Sequence, residues 1–412
     1  MNTTKQNHPF WTSIDAVPAQ YPWLANDITC DVAIIGAGIS GAMCAMRFAH
    51  EDINCVLLDG ETVACRQTAA SAGILYYYPG CSIHQLAKEK GMDESVKIFE
   101  LCASAINNVE KICEELGSSV AFCRRDLFAF SQENYCMDEL KKEYLIRLHN
   151  GFSVDLMEEK ECEEKFAFPV KSGLYSYNQG AEVDPFQFTH ALVAKAQNMG
   201  ARIYENSPIK AIIQTQDGCD VYCRNGNKVR CKKVIIATGF ESDDYGTAFP
   251  AIRSTNFTIV TEPVQDFSGW YNRCILESND DRGFVVRSTN DDRIMISGLN
   301  TILFDPANRF SGLMDFPAIL EKRRYQELEN KLIELFPAIR GIKPEYYYKS
   351  DVVESRDGLP VIGIDKQNPN CYYALSSGIN GIVSAEIASR LLLGLYSKNA
   401  TQELRLFCDS LQ

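Results

Sequence analysis

The stretch Cys30–Gly41, CDVAIIGAGISG, constrains the fold of this chain more than any other. Its residues Asp31–Ile35 predict a short buried strand, three glycines follow in the spacing G-x-G-x-x-G, and Ala42–Ala49 predicts a helix. The first glycine permits a tight turn, the second lets the backbone approach a pyrophosphate, and the third lets the helix pack against the strand. Because the helix N-terminus offers free N–H groups and a positive dipole end, the stretch predicts a phosphate-binding turn.

An acidic residue follows at the end of the next predicted strand. Asn54–Leu58 is that strand, and Asp59 stands eighteen residues after Gly41. A carboxylate there accepts hydrogen bonds from ribose hydroxyls and favours the unphosphorylated ribose of FAD or NAD over that of NADP. An ordinary glycine turn is the alternative interpretation, but the strand, helix, second strand and acid together predict dinucleotide binding.

Length and composition limit the classes of protein to consider. A chain of 412 residues is longer than one core usually holds, so we expect two domains. The net charge of −13, from 41 basic and 54 acidic residues, disfavours a nucleic acid or an anionic membrane surface as partner. No apolar run is long enough to predict a membrane span, and the N-terminal residues lack the pattern of a secretory signal.

Cysteines are numerous enough to raise the question of disulfides or metal sites. The sixteen cysteines are scattered without a C-x-x-C pair, and several, such as Cys44, Cys55 and Cys102, fall on apolar faces. We favour buried, reduced thiols of a cytoplasmic protein. The five histidines form no metal-ligand pattern, so no metal site is predicted.

Three further stretches are expected to approach the dinucleotide. The segment Gly60–Gly80 offers side-chain donors and then a run of small residues, although Thr68 also fits an ordinary helix cap. The predicted strand Lys233–Ala237 ends in A-T-G, which favours an FAD-type sheet over an NAD half-fold. A strand, a glycine-rich loop and a helix over 371–395 direct another helix N-terminus at an electron-rich group such as a flavin.

Periodicity predicts two excursions from this nucleotide-binding pattern. The first is mainly helical, over Ser95–Leu116 and Met137–Leu148. The second predicts several strands, among them Phe284–Ser288, followed by an amphipathic helix over Leu320–Phe336. Between the excursions, Asp155–Phe166 predicts an acidic helix exposed to solvent.

Taken together, the motifs resemble one family. GAGISG, TAASAG, GAEVDPF, IIATGF, DGLPVIG and SSGINGI stand in the order typical of the D-amino-acid oxidase superfamily, which includes glycine oxidase, sarcosine oxidase and D-amino-acid dehydrogenases. The resemblance implies an α/β fold, in which a Rossmann-like FAD-binding domain with a central parallel sheet is interrupted by an α+β substrate domain with an antiparallel sheet. We assign residues 25–90, 150–248 and 344–412 to the first domain and residues 91–149 and 249–343 to the second.

The resemblance also implies the chemistry. The expected reaction oxidises a carbon–nitrogen bond of an amino acid or amine, with hydride passing to flavin N5 and the imine hydrolysing in water. Dioxygen or another electron acceptor then reoxidises the flavin. The alternatives are a dehydrogenase that uses an acceptor other than dioxygen, and a protein that holds flavin without amine chemistry. An RNA-modifying flavoprotein is disfavoured by the acidic charge balance.

The predicted cofactor-binding residues lie in the glycine-rich turns and the segments beside them. They are Gly36, Ala37, Gly38, Ile39, Ser40, Gly41, Asp59, Gly60, Arg66, Gln67, Thr68, Ser71, Ala72, Gly73, Ile74, Ile209, Ala237, Thr238, Gly239, Gly363, Gly378, Ile379, Asn380, Gly381 and Ile382.

Five positions depart from the family's pattern. The arginine that binds the substrate carboxylate in glycine oxidase falls near Val352, and two lysines of sarcosine oxidase fall at Val383 and near Ile296. The positions at which relatives link their flavin covalently fall near Ser350 and Ala70, so FAD is expected to be bound without a covalent bond.

Three residues are candidates for the catalytic site. Arg287, in the strand Phe284–Ser288, either faces the flavin and binds a substrate carboxylate or forms a surface ion pair on the outer face of the sheet. Tyr348 precedes the D-G-L-P motif, and Tyr78 follows T-A-A-S-A-G, so either tyrosine is placed to line the substrate pocket. Ordinary packing is the alternative for each tyrosine.

Overall fold

The computed structural model describes residues 5–6, 8–133, 137–239, 251–280, 283–304, 318–339, 341–355, 357–376 and 378–408. Within these ranges the strands are β1 Lys5–Gln6, β2 Ile28–Ile35, β3 Cys55–Leu58, β4 Ile74–Tyr76, β5 Cys123–Ser131, β6 Val154–Glu158, β7 Ser172–Glu182, β8 Arg202–Tyr204, β9 Ile209–Gln214, β10 Cys219–Cys223, β11 Lys228–Ile236, β12 Ala251–Thr261, β13 Ile275–Ser278, β14 Phe284–Ser288, β15 Ile294–Phe304, β16 Pro344–Ser355, β17 Val361–Ile364 and β18 Cys371–Leu375. The α-helices are α1 Phe10–Ile14, α2 Ile39–His50, α3 Gln67–Ala70, α4 Ile83–Lys90, α5 Met92–Leu116, α6 Met137–His149, α7 Glu159–Lys165, α8 Pro185–Asn198, α9 Ala318–Leu335 and α10 Gly381–Tyr396.

The first sheet is the predicted parallel sheet. Its strands run in the order β17-β18-β11-β2-β3-β8; the five from β18 to β8 are parallel, and β17 is antiparallel to β18. Strands β9 and β10 extend it from β11 as an antiparallel ribbon. Along β2, Val32 and Ile34 pack into one core, and Ala33 and Ile35 pack into the core on the opposite face. Burial on both faces explains the continuous apolar run in the sequence.

The second sheet is largely antiparallel and is built from distant parts of the chain. Its order is β1-β16-β12-β15-β14-β13-β5-β7-β4, with β6 paired to β7. Only the pairs β1–β16 and β13–β5 are parallel among its described strands. The α/β class, with one parallel and one antiparallel sheet, is therefore confirmed.

The two faces of the second sheet pack against different cores. Phe257 and Ile296 face α9 in one core. Ile275, Met295 and Tyr348 face the other way and join the core that contains α2 and α10. We call this second face, on the side of the nucleotide-binding domain, the roof face. Because strand side chains alternate, each roof-face residue is followed by one that packs on α9 or its neighbours.

Four strands that the sequence analysis assigned to the FAD-binding domain belong to the second sheet instead. Strands β4, β6, β7 and β16 fall in ranges assigned to the FAD-binding domain, yet all four pair within the second sheet. The predicted acidic helix Asp155–Phe166 is also wrong in its first part, because Val154–Glu158 is strand and the helix covers only Glu159–Lys165. In β6, Val154 and Met157 are buried and the two acidic residues are exposed, and so short a pattern does not distinguish a strand from the start of a helix.

Other features bear on partners and cofactors. None of the described helices combines the length and apolar character needed to cross a membrane. Within the described ranges, no three His, Cys, Asp or Glu side chains are grouped so as to hold a metal ion. The fifteen described cysteines are free thiols, and most of them are buried.

Candidate active site

The ends of four parallel strands meet at one edge of the first sheet. Residues that follow β2, β3, β11 and β18 lie there side by side, since Ile35 pairs with both Leu58 and Ile236, and Ile236 pairs with Tyr373. In open α/β sheets this carboxyl edge is where a nucleotide binds. The predicted turns at 36–41, 59–60, 237–239 and 376–381 are therefore brought together.

The fingerprint glycines are required by close backbone contacts. Gly36 has a φ of +100°, and a Cβ atom added to it would lie 2.6 Å from the carbonyl oxygen of Ala237. A Cβ added to Gly41 would lie 1.7 Å from the carbonyl oxygen of Gly36. Side chains at these two positions are sterically excluded, so the backbone itself forms the cradle at the start of α2.

Asp59 is held by the turn that it faces. One carboxylate oxygen accepts the amide of Ala37 at 2.6 Å, and the other accepts the amide of Glu61 at 2.8 Å. Burial raises the pKa of Asp59 above its ordinary value, although the two amide hydrogen bonds act to lower it. The carboxylate is thus fixed beside the first turn, as a ribose-binding acid requires.

Thr68 links two of the predicted segments. It lies inside α3 rather than before it, and its hydroxyl accepts the amide of Ile39 at 3.1 Å. Thr68 therefore caps the start of α2 and not its own helix, which corrects the cap considered from the sequence. A second link joins the hydroxyls of Ser40 and Ser376 at 2.9 Å, so the first turn also contacts the loop before α10.

The donors proposed in the segment after Asp59 lie in different surroundings. Arg66 forms an ion pair with Glu61 on the half-exposed outer side of the turn. Gln67 lies close to Gly239, where its side-chain oxygen would be 3.1 Å from an added Cβ. The carbonyl oxygen of Ser71 accepts the indole N–H of Trp11 at 2.8 Å, which ties this segment to α1.

Two predicted residues lie farther from the turns. Ile209 opens β9 and packs in the core on the outer face of the first sheet, although the preceding residue, Pro208, adjoins Gly60. Gly363 lies in β17, opposite Tyr373 at the edge of the sheet. Their assignment to the cofactor stays a prediction.

One buried polar atom at this edge has no protein partner. The hydroxyl of Thr238 is buried and makes no hydrogen bond with any described residue. Together with the two glycines that admit no side chain and the fixed Asp59 carboxylate, it fits a bound dinucleotide. Gly36–Gly41, Asp59 and Ala237–Gly239 would hold the phosphates and ribose of such a group, and we call these residues the nucleotide cradle.

Asn380 joins the edge of the first sheet to the second sheet. Its amide nitrogen donates to the carbonyl oxygens of Tyr76 at 2.8 Å and Tyr78 at 2.9 Å, and its amide oxygen accepts the Tyr76 N–H at 3.1 Å. Asn380 is fully buried and directly precedes α10. The tyrosine segment is thereby fixed beside the N-terminus of α10.

Tyr78 leads to a carboxylate that was not predicted. Its hydroxyl donates a hydrogen bond to Glu277 of β13. Burial raises the pKa of Glu277, while the Tyr78 hydrogen bond and the charge of Arg147 act to lower it. A single Glu in a short strand carries no distinctive sequence signal, and only the pairing of β13 with β5 and β14 places it on the roof face.

Arg287 is buried rather than on an outer surface. It is 2 % exposed, so the surface ion pair considered from the sequence does not describe it. Nη1 donates to the carbonyl oxygens of Ala72, Gly73 and Val183 at 2.8–3.0 Å, and Nε donates to the Ser288 carbonyl oxygen at 2.9 Å.

The remaining surroundings of Arg287 leave part of the guanidinium available. Nε lies 3.4 Å from Glu182, and the guanidinium stacks over Trp11. Burial lowers the pKa of Arg287, and the charge of Glu182 opposes that shift. The N–H groups of Nη2 have no partner among the described residues.

Two further tyrosines present unpaired hydroxyls. Those of Tyr76 and Tyr348 are buried and make no hydrogen bond with the described part of the chain. Against the effect of burial, the neighbouring hydroxyl of Thr258 acts to lower the pKa of Tyr348, although at 2.7 Å it is bonded to the hydroxyl of Ser297. Burial raises the pKa of both phenols, and Arg287 is close enough to act on each.

The strand register aligns these groups across the roof face. A continuous row of directly paired residues runs from β5 to β16: Ala129, Glu277, Val285, Ser297, Thr258 and Tyr348. Val352, on the same strand as Tyr348, lies on this face, whereas Ile296 faces α9. The position compared with the sarcosine oxidase lysine is therefore not on the roof face.

The family follows from the chain's comparison with known proteins. Residues 31–395 match the family described as FAD dependent oxidoreductase, DAO. The chain belongs to this family, which confirms the resemblance drawn from the motifs, and FAD is its cofactor.

Individual relatives are distant but cover most of the chain. The chain is 23 % identical to glycine oxidase of Bacillus subtilis, with 89 % of this chain and 92 % of that protein covered. It is 21 % identical to gamma-glutamylputrescine oxidoreductase of Escherichia coli, with 93 % and 87 % covered. The crystal structure of glycine oxidase from Geobacillus kaustophilus superposes with a TM-score of 0.75 at 17 % identity, covering 91 % and 96 % of the two chains. That structure supports the fold alone.

Proposed function

We propose that this protein oxidises the carbon–nitrogen bond of an amine or amino acid that binds between the nucleotide cradle and the roof face. The observation that carries this proposal is the pair of buried phenols, Tyr76 and Tyr348, whose hydroxyls make no hydrogen bond with any described residue. Buried hydroxyls without partners are costly, so groups of this kind are typically completed by a ligand. The names of the two relatives, an amino-acid oxidase and an amine oxidoreductase, agree with this substrate class.

Each part of the chain has a distinct task in this proposal. When bound, FAD supplies the two-electron oxidation and accepts the hydride. Tyr348 and Tyr78 line the pocket, and the Nη2 group of Arg287 is the nearest buried cation able to bind a substrate carboxylate. The substrate must lose an ammonium proton before oxidation, and its imine product hydrolyses in water.

The mode of flavin attachment and the electron acceptor are also proposed. Ala70 and Ser350 offer no nucleophile of the kind that links flavin in relatives, so FAD should be released intact by acid or heat. Flavin that stays with the precipitated protein would contradict this. The described strands of the second sheet from β4 to β15 carry no lysine, and Lys349 of β16 alternates with Tyr348 and points away from the roof face. This absence favours an acceptor other than dioxygen as the second candidate, and we propose no nucleic-acid partner.

The proposal is tested by anaerobic mixing of the purified yellow protein with a panel of amines and amino acids. At least one compound should bleach the flavin absorbance band. Admitting air, or adding a quinone or dye, then shows which acceptor restores the band. If no member of the panel bleaches the band while dithionite does, the protein holds flavin without amine chemistry.

A further inference from the structure

Glu277 is the acidic side chain of the row across the roof face. It follows Leu276, which packs toward α9, and is directly opposite Val285. Its side chain is partly accessible to solvent, although protein atoms surround it closely enough to raise its pKa by desolvation. Its described hydrogen-bond partner is the phenol of Tyr78. No cation of the described chain lies within ion-pair distance of it.

The nearest cation is already neutralised by another acid. Nε of Arg147 donates to Glu143 at 2.6 Å, and Nη1 donates to the Tyr77 hydroxyl at 2.5 Å. Glu143 also accepts the amides of Ile83 and His84, which fixes it at the start of α4. The three charged groups Glu143, Arg147 and Glu277 therefore sum to −1, and the uncompensated charge belongs to Glu277.

Aromatic rings complete the surroundings of Glu277. The rings of Tyr76 and Tyr78 are 5.1 Å apart, and the buried Tyr76 hydroxyl makes no hydrogen bond with the residues that the structure describes. The charge of Glu277 contributes to raising the pKa of Tyr76, so the two side chains are near neighbours. A carboxylate beside two tyrosine side chains, one with a phenol oxygen that no described residue bonds, attracts a cation and repels an anion.

We propose that Glu277 is a specificity-determining residue that binds a positively charged nitrogen of the substrate. That the cation belongs to a substrate rests on the proposed function, but the cation site itself is a property of the chain alone. It applies equally to the reacting amine on entry and to a second ammonium group elsewhere in the substrate. Arg287 lies in the opposite electrostatic setting, because it shares Glu182 with Arg125, and its other acidic neighbour, Asp184, has a pKa that burial raises to about 7.

The experiment uses the FAD-loaded protein and a cation that cannot be oxidised as an amine. Tetramethylammonium chloride is titrated against the wild-type protein and the flavin absorbance is recorded, with sodium chloride as the ionic-strength reference. Saturable binding is expected, and Glu277→Gln should weaken it at least tenfold. The glutamine keeps an acceptor for Tyr78, and Glu277→Asp, which keeps the charge, should retain most of the affinity.

A matched control exists on the opposite face of the same sheet. There the Tyr347 hydroxyl donates to Glu329 at 2.6 Å, which is another tyrosine–glutamate pair. Glu329→Gln removes the same charge away from the roof face and should bind tetramethylammonium as the wild type does.

The outcomes separate this inference from the proposed function. Wild-type protein that shows no saturable binding, or Glu277→Gln that binds as tightly as wild type, overturns the inference. If amines bleach the flavin but the affinity for the cation does not depend on Glu277, only this inference fails. If cation binding depends on Glu277 but no amine bleaches the flavin, the cation site stands and the proposed function fails. Should Glu277→Gln lose FAD, the wild-type protein decides: it should bind tetramethylammonium at least tenfold more tightly than the uncharged tert-butanol, and equal binding overturns the inference.

Discussion

The nucleotide cradle and the roof face are built in opposite ways. The cradle uses backbone: Gly36 and Gly41 admit no side chain, and Asp59 is fixed by two amides of neighbouring turns. The roof face uses side chains, such as Glu277 and Tyr348, from strands far apart in the sequence. The difference teaches that the predicted cofactor site depends on local geometry, whereas the proposed substrate site depends on long-range strand register.

The largest effect is expected where the cradle leaves no room. Gly41→Ala would place a Cβ atom 1.7 Å from a backbone oxygen that cannot move independently, so the purified variant should contain almost no FAD. FAD released per polypeptide is the measurement. Gly226→Ala, in the turn between β10 and β11, is the control, because an added Cβ there would meet no atom within 4 Å, and it should keep FAD. Full FAD content in Gly41→Ala would contradict the account of the cradle.

Arg287→Lys tests the positive part of the roof face. A lysine cannot reproduce the planar fork, so a carboxylate substrate should lose about 2–5 kcal/mol of transition-state binding, while a carboxylate-free amine should react almost as before. The rate of anaerobic flavin reduction for both substrate types is the measurement. The variant also loses contacts to four carbonyl groups, so its melting temperature must be recorded. Equal losses for both substrate types would remove the carboxylate-binding role.

Asp59→Ala tests whether the cradle acid binds ribose. The lost hydrogen bonds to a charged acceptor should weaken FAD binding by about 1.5–3 kcal/mol, as measured by titrating the apoprotein with FAD. The amides of Ala37 and Glu61 lose their acceptor too, so the melting temperature of the apoprotein should fall modestly. An unchanged FAD affinity would mean that the ribose lies elsewhere.

Tyr348→Phe tests the roof face without disturbing its packing. Because the hydroxyl is buried and unpaired, removing it should leave the free energy of unfolding unchanged or raise it by about 1 kcal/mol, while flavin reduction by substrate slows. Tyr175→Phe is the reverse control: it loses a 2.6 Å bond to Asp126 and should lower stability by about 1.5–3 kcal/mol without slowing reduction. Normal reduction by Tyr348→Phe would mean that the phenol only fills space.

The smallest effect concerns the start of α8, beside the segment that Arg287 holds. Burial raises the pKa of Asp184 to about 7, with Asp15 as a hydrogen-bonding neighbour. A raised pKa favours the protonated form, so this contribution to stability is complete near pH 4 and is lost as the pH rises through about 7. Asp184→Asn keeps the cap on the amides of Phe186 and Gln187 and should flatten that decline in urea unfolding. If the free energy of unfolding of Asp184→Asn declined with pH as steeply as that of the wild type, a group other than Asp184 would be responsible for the decline.

The sequence predicts what depends on local pattern. The strand Phe284–Ser288, the strand Cys371–Leu375 and the turn before α2 all occupy the predicted positions, because short-range periodicity and steric need determine them. It does not predict Glu277, since an isolated acid in a four-residue strand becomes a site only through the pairing of β13 with β5 and β14. Nor does it predict that β16 joins the second sheet, because pairing with β12 is a long-range contact.

The central claim is that the protein oxidises a carbon–nitrogen bond of a substrate bound between the cradle and the roof face. The most direct test is anaerobic stopped-flow reduction with the fastest compound of the panel, in protiated form and deuterated at the carbon that bears the amine. The account predicts that deuterium slows the bleaching severalfold and that one carbonyl product forms per flavin reduced. Equal rates with both forms and no carbonyl product would contradict it.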